Sequence, residues 1–477
     1  IYIINFLAII NLIFREKRSI EATVAWVLVL TTAPAIGCIL YIAVGRGISK
    51  NNMFKIKEAE DKILKENIID TQIKLDRNDN FEPNLIGYKD MIYALANSNN
   101  SHFTTNNDVE IFPEPNDFFE SLLEELKKAK HHINIQFYIF KDDEIGNKII
   151  DILIDKAQNG VEVRLLYDAV GSRLFSDKSI HKLKKSGVKV GAFFPSFMKV
   201  INFNLNYRNH RKIVVIDGNV GFIGGNNIGD EYLGKDPKFG YWRDTHLKIT
   251  GDSVKDLNIR FILDWRYTTK EDLVLDKYFG NETLRLSNSK ACKDIGIQIV
   301  SSGPDSTELD EIKYGYIKMI QKAKKYIYIQ TPYFILDKTL TDTLKIACFS
   351  GVDVRIMIPS KPDHPFVYWA SSSYAGELLK YGAKLYNYDH NAFLHAKTIV
   401  VDDCVCSIGT ANMDIRSFEL NFEINAFMYS SEVAKKQRAI FENDILKSKE
   451  ITLDMYNSRS RYMRLKESIS RLLSPIL

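Results

Sequence analysis

The stretch NHRKIVVIDGNVGFIGGNN, from Asn209 to Asn227, is answered by LHAKTIVVDDCVCSIGTAN, from Leu394 to Asn412. In each, a His is followed two residues on by Lys, then by an apolar run ending in Asp, then by Gly and Asn. The spacings match, so His210, Lys212, Asp217, Gly224 and Asn227 correspond to His395, Lys397, Asp402, Gly409 and Asn412. The likeness extends outwards: KAKHHINIQ from Lys128 answers KAKKYIYIQ from Lys322, and GVEVRLLYDA from Gly160 answers GVDVRIMIPS from Gly351. A period this long marks a duplicated domain rather than a solenoid, and 477 residues are too many for one ordinary core.

Within each copy, strand alternation follows helical spacing, as in FFESLLEELKKAKHHINIQFYIF from Phe118. This predicts an α/β fold, with a mixed or largely parallel sheet covered by helices on both faces. Two such units pack most simply face to face about a pseudo-twofold axis, which brings the two His phrases to one interface.

Read as a strand, HRKIVVID puts His210 and Lys212 on one face and Arg211 on the other. The Gly224-Gly225 turn then returns Asn227 to the same side, and His395, Lys397, Gly409, Thr410 and Asn412 repeat the arrangement. Two His, two Lys and two Asn around one pocket suit a phosphate. Cations and amides bind its oxygens, with Thr410 a further substrate-binding candidate, while one imidazole attacks phosphorus and the other moves the proton. That chemistry requires no metal and no cofactor, and no acidic cluster is spaced to hold a metal. Asp217 and Asp402 lie five residues beyond each Lys, hence on the opposite strand face, which predicts a structural role. The carboxylates that would orient the imidazoles come later, as Asp244 in YWRDTH and Glu423 in RSFELNFEIN, each assigned to the His of its own half. His131, His132, His364 and His390 read as bystanders.

Composition matters mainly where it changes. A net charge of +4 argues against a dedicated duplex-DNA binder, and five cysteines without a CxxC pair read as free thiols. Between Glu21 and Arg46, however, 24 residues carry no charge, enough to span a hydrocarbon layer of about 30 Å as one helix. The apolar run IYIINFLAIINLIF before it reads as the remaining end of a first span. Basic residues flank the second span on both sides, with a slight lean towards a cytoplasmic catalytic body. At the other end, Tyr462, Leu465, Ile469, Leu472 and Ile476 recur at steps of three and four among Arg459, Arg461, Arg464, Lys466 and Arg471. This is the pattern of a basic amphipathic helix, held on an anionic membrane surface or packed on the second domain.

The doubled HxKxxxxD with its later Gly/Thr and Asn resembles the phospholipase D superfamily. YRNHRKIVVIDG, GGNNIGDEYLG, YWRDTHLKITG, IQTPYFI and GTANMDIRSFELNFEIN, with the ending RLKESISRLLSPIL, are similar more narrowly to the bacterial cardiolipin synthases. The resemblance covers essentially the whole chain. It implies two tandem phospholipase D-like βα sandwich domains, at 108–285 and 286–447, after two membrane helices (1–45) and a charged linker (46–107), with the amphipathic helix at 448–477. It further implies a multi-pass cell-membrane enzyme that transfers a phosphatidyl group from one phosphatidylglycerol to another through a phosphohistidine, releasing glycerol. Asp217 and Asp402 join the catalytic set through the family motif, as do Asp244 and Glu423. Asp244 departs in spacing, 34 residues after His210 against 28 between His395 and Glu423. The same pocket would serve a hydrolytic phospholipase D or another phosphatidyltransferase, whereas membrane spans and a basic tail suit lipid access better than nucleic acid.

Overall fold

The structure is a computed structural model that describes residues 1–14, 20–44, 86–195, 207–273, 278, 294–304 and 310–474. The expected linker between 46 and 85 and the tail residue Ile476 lie outside the described residues.

Two mixed sheets carry the body. The first runs Asn107–Phe112, His246–Gly251, Val220–Gly224, Ile213–Ile216, His132–Phe137, Glu162–Asp168, Lys189–Phe193. The second repeats that order as Gly296–Ser302, Asn421–Tyr429, Val405–Gly409, Thr398–Val401, Tyr326–Gln330, Asp353–Ile358, Lys384–Asn387. In both, the last three strands are parallel and the rest antiparallel, because a helix returns the chain after each of the parallel strands while hairpins join the HxK strands to their partners. One core cluster joins the two sheets, mixing Ile223 and Leu247 of the first with Ile408 and Ile424 of the second. Separate clusters fill the outer side of each sheet.

The second half recruits chain from both ends. Residues 86–104, which the sequence places with the linker, form the helix Lys89–Asn99 and the strand Phe103–Thr104, which pairs with Gly296–Ser302. Met91, Ile92 and Leu95 are buried there beside Met319 and Phe427.

At the N-terminus the expected single span does not form one helix. It divides into Ile20–Thr32 and Pro34–Val44, and among the described residues no helix is long and apolar enough to cross a membrane. Proline disfavours the helical backbone in the residue before it, and the chain folds back at Ala33. Trp26 and Tyr41 therefore meet edge to face with ring centroids 5.6 Å apart. Asn5 of the helix Tyr2–Phe14 donates to the carbonyls of Leu30 and Pro34 at 2.9 Å each; the first of these has lost its helical donor, because the residue four on is Pro34, which has no N–H.

The C-terminal helix Arg461–Leu473 packs on the helix Pro365–Leu378, though by the side opposite to its apolar stripe. Glu467 and Ser470 are buried, with Glu467 accepting from Arg459 at 2.8 Å, and Arg471 reaches Glu377 at 2.6 Å. Tyr462, Leu465, Ile469 and Leu472 remain 67%, 56%, 44% and 75% exposed.

Candidate active site

Each catalytic His is placed by a short pairing between the two halves. The strand Arg208–Asn209 runs parallel to the start of Asn421–Tyr429, with Arg208 opposite Asn421 and Asn209 opposite Phe422. The next step of that register sets His210 beside Glu423. His210 donates its backbone N–H to Phe422 O at 2.9 Å, and its Nδ1 meets Glu423 Oε2 at 2.9 Å. The second copy mirrors this: Ala392–Leu394 pairs with Tyr241–Arg243, the His395 N–H reaches Arg243 O at 2.7 Å, and Nδ1 meets Asp244 Oδ2 at 2.6 Å. The expected assignment of each carboxylate to the His of its own half is therefore corrected. The pairs cross, because the inter-half strands, not the order along the chain, set which groups are neighbours.

Strand parity otherwise holds. Lys212 and Lys397 lie on the His side, fully buried, and donate Nζ to the carbonyls of His210 and His395 respectively. Arg211 points away and is held by Asp264 at 2.6 Å. The two imidazoles, both nearly buried, line one cavity of about 610 Å³ together with Asn227 and Asn412. Tyr138 stands edge-on to His210 at 5.0 Å, and Trp242 is tilted against His395 at 5.1 Å.

Asp217 and Asp402 take the structural role that strand parity predicts rather than the catalytic one of the family motif. They do not line this cavity: Asp217 accepts from the backbone N–H groups of Lys130, His131 and His132 at 2.8–2.9 Å, and Asp402 from those of Lys324, Lys325 and Tyr326. Both sit at positive φ (53° and 54°), where a short side chain can turn onto nearby backbone. They tie each HxK strand to the entry of the adjacent parallel strand. Thr410, expected to touch substrate, instead donates to Glu423 Oε2 at 2.6 Å.

The two Asn side chains also differ. Asn227 is engaged at both ends, accepting from Ile139 N at 3.0 Å and donating to Tyr232 Oη at 2.9 Å. The Oδ1 of Asn412 is buried without a hydrogen bond.

Electrostatics follow from burial. Desolvation pushes both His210 and His395 down to about 4, against the upward pull of their carboxylates. Burial also lowers Lys397 to about 8 and Lys212 well below its ordinary value. Burial would raise Glu423 and Asp244, yet the adjacent His and Lys charges hold both below the usual carboxylate range. The pocket thus sets two neutral imidazoles against two carboxylates, each ring with Nδ1 facing its carboxylate and Nε2 left for chemistry. An entering phosphodiester anion favours protonation of either ring.

Of the four histidines read as bystanders, His364 lines the cavity mouth, while His131, His132 and His390 do not line the cavity. The sequence reading missed Tyr138, Trp242, Arg208 and Arg416. Tyr138 had a signal, since IQFYIF and IQTPYFI repeat a Tyr that the structure places in the same cavity as Tyr333.

The family model "Cardiolipin synthase, PLD-like domain" matches residues 122–237 and 316–445, and "Phospholipase_D-nuclease N-terminal" matches 3–46. The cardiolipin synthase of Oceanobacillus iheyensis is 47% identical over 100% of this chain and 98% of its own length. The major cardiolipin synthase ClsA of Bacillus subtilis is 48% identical, with 100% and 98% covered. Among solved structures, a phosphatidylserine synthase from Haemophilus influenzae matches with TM-score 0.62 and 17% identity, covering 82% of this chain and 100% of that one, which shows the fold.

Proposed function

This chain belongs to the cardiolipin synthase family of phospholipase D-like proteins, and from that premise we propose that it transfers a phosphatidyl group from one phosphatidylglycerol to the glycerol hydroxyl of another. The observation that carries the reading is the pair of crossed His–carboxylate contacts on one cavity. It provides a nucleophile and a proton carrier without a further group.

His210 is the nucleophile in this reading. Glu423 divides its charge among His210, Thr410 and Asn421, which weakens its hold on an imidazolium. Asp244 meets His395 in a shorter contact, favouring a proton there. Neutral His210 Nε2 attacks the donor phosphorus, and protonated His395 Nε2 gives its proton to the departing glycerol oxygen. The P–O bond breaks as the P–N bond forms. His395 then takes the proton from the acceptor hydroxyl, whose oxygen attacks phosphorus and returns His210 neutral. Lys212, Lys397 and the Asn pair oppose the charge that grows on the phosphoryl oxygens. One phosphodiester is exchanged for another, so the energy of the bond is conserved.

Lipid substrates require a route from the bilayer. The N-terminal helices expose Ile3, Phe6, Leu7, Val24, Leu28, Ile36 and Ile39, an apolar exterior suited to hydrocarbon, and we place them in the cell membrane with the catalytic body cytoplasmic. The outward apolar stripe of Arg461–Leu473 gives a second contact, with Arg461, Arg464 and Lys466 beside it for anionic lipid. Ser474, at the end of this helix, lines the catalytic cavity. Substituting Leu465→Gln and Leu472→Gln should weaken binding of the body to phosphatidylglycerol vesicles severalfold with unchanged thermal stability, because neither side chain is buried in the protein. Unchanged binding would remove this contact from the reading.

The function itself is tested by supplying purified full-length protein with glycerol-labelled phosphatidylglycerol in vesicles, with and without chelator. Cardiolipin and free labelled glycerol in equal amounts are expected in both conditions. Phosphatidic acid in place of cardiolipin would make the protein a hydrolase.

A further inference from the structure

The crossed contacts set which carboxylate serves which imidazole, and something must keep the backbones that carry them in line. Two buried arginines of the first half stand next to them in the chain: Arg211 follows His210, and Arg243 precedes Asp244. Neither lines the catalytic cavity.

Arg211 reaches across to the other half. Its Nε donates to the carbonyl of Glu423 and its Nη2 to that of Ser302, both at 3.1 Å, while Nη1 meets Asp264 Oδ1 at 2.6 Å. The residue after His210 is thus bonded to the backbone of the residue whose carboxylate holds His210. Arg243 does the same for the second pair. Its carbonyl accepts the His395 N–H at 2.7 Å, its Nε lies 3.1 and 3.0 Å from the two carboxylate oxygens of Asp444, and its Nη1 donates to the carbonyls of Pro113 and Asp244.

The two acids are seated alike. Asp264 and Asp444 lie on the helices Ser253–Thr269 and Ser431–Ile445, which follow equivalent strands, and each accepts at 2.7 Å from the Gln that the repeat conserves, Gln136 and Gln330. Asp264 also accepts from Asn209 at 3.1 Å and has Arg260 at 3.4 Å. The duplication breaks at the cation. HRK in the first copy is HAK in the second, with Ala396 where Arg211 stands, and the guanidinium beside Asp444 comes instead from Arg243 of the first half. An arginine that only neutralised a buried acid would need no other acceptor, whereas each of these divides a rigid fork of donors between the acid and the backbone of one His–carboxylate pair.

We propose that Arg211 and Arg243 are positioning residues, each anchored on its helix Asp, with Arg211 aligning the pair of His210 and Glu423 and Arg243 that of His395 and Asp244. This rests on the reading in which the two imidazoles act in turn on one phosphodiester.

The experiment gives the full-length protein two donors, phosphatidylglycerol and a phosphatidyl ester of p-nitrophenol, and follows release of the first product in a single turnover, well below the melting temperature of each variant. Glycerol departs with a proton from His395, and nitrophenolate departs without one. Lysine keeps the charge opposite each Asp but cannot span the same acceptors. Arg243→Lys should slow glycerol release roughly ten- to hundredfold and nitrophenolate release by less than about threefold, whereas Arg211→Lys should slow both roughly ten- to hundredfold, because His210 attacks in both. The ratio of the two rates in one preparation is independent of the fraction folded, so a loss of stability alone leaves it at the wild-type value. A wild-type ratio in both variants, or wild-type rates in either, would overturn the proposal. A changed ratio in Arg211→Lys instead of Arg243→Lys would keep both positioning roles and exchange those of the imidazoles. Phosphatidic acid in place of cardiolipin from the wild-type protein would overturn the transfer reading alone, since both measured releases precede attack by the acceptor.

Discussion

The two halves of the site share a strand order and a His–Lys–Asn skeleton but hold their carboxylates differently. Asp244, the shorter acid, accepts from Thr245 N at 2.7 Å and reaches His395 by lying against the backbone of Gly225. A Cβ at Gly225 would stand 1.9 Å from Asp244 Oδ1. In the other half the matching position is Thr410, whose hydroxyl donates to the longer Glu423. Each half therefore builds the seat for the carboxylate of its own chain segment, and that carboxylate serves the His of the other half. Neither half can assemble an orientated imidazole alone. The duplication has become one site through reciprocal exchange, a short strand pairing with its His–carboxylate contact in each direction.

The crossing gives the largest expected effects. His210→Ala should abolish the covalent intermediate, whereas His395→Ala should still form it from a donor with a good leaving group. Either change should lower cardiolipin formation by more than about a thousandfold. Glu423→Gln should then resemble a damaged His210, slowing intermediate formation by about a hundredfold, and Asp244→Asn should resemble a damaged His395. Quench-flow with labelled donor separates the two steps. If Asp244→Asn, rather than Glu423→Gln, blocks intermediate formation, the roles of the halves are exchanged, and if neither variant separates the steps, the comparison fails.

The different seats predict different costs of repair. Gly225→Ala forces a methyl group into a buried carboxylate and should destabilise the fold by about 3 kcal/mol, whereas Thr410→Ser keeps the hydroxyl and should cost well under half of that. Chemical denaturation of the two variants measures the difference. Equal losses would mean that the two seats are built alike. Activity should follow the same order, since a displaced Asp244 no longer holds His395.

Much of this was legible in the sequence, for reasons that particular residues show. The duplication was, because identical spacings at His210 and His395 require identical strand–turn geometry, and strand parity correctly put Arg211 and Asp217 away from the Lys face. The crossing was not. It depends on register between Arg208–Asn209 and Asn421–Phe422, more than two hundred residues apart, and no local periodicity encodes that pairing. The expectation of one continuous N-terminal helix failed for a different reason: a count of uncharged residues is blind to the backbone break at Ala33–Pro34. For the C-terminal helix the stripe was legible but its direction was not, because the buried side is taken by Ser470 and by Glu467, whose charge is met by Arg459 of the same segment.

The smallest expected effect tests whether the halves are electrically alike despite their different carboxylates. Burial holds His210 and His395 at about 4, against an ordinary value of 6.5, and His132 and His246 are also pushed down, to about 4 and about 3. A ring whose folded value lies below its unfolded value binds a proton more readily in the unfolded chain. Its contribution to stability is complete above 6.5 and is lost as the pH falls towards 4. Each such ring adds a slope of at most about 1.4 kcal/mol per pH unit in that window, and Glu423 and Asp244, held below the usual carboxylate range, contribute only at its lower edge. Denaturation midpoints measured between pH 6.5 and 5 should therefore fall with acid in the wild-type protein. His210→Asn and His395→Asn should each remove about one of the four equal shares of that slope, even though each starts from lower stability. Equal flattening would show that crossing equalises the two imidazoles, whereas a steeper residual slope in one variant would show which half carries the stronger desolvation.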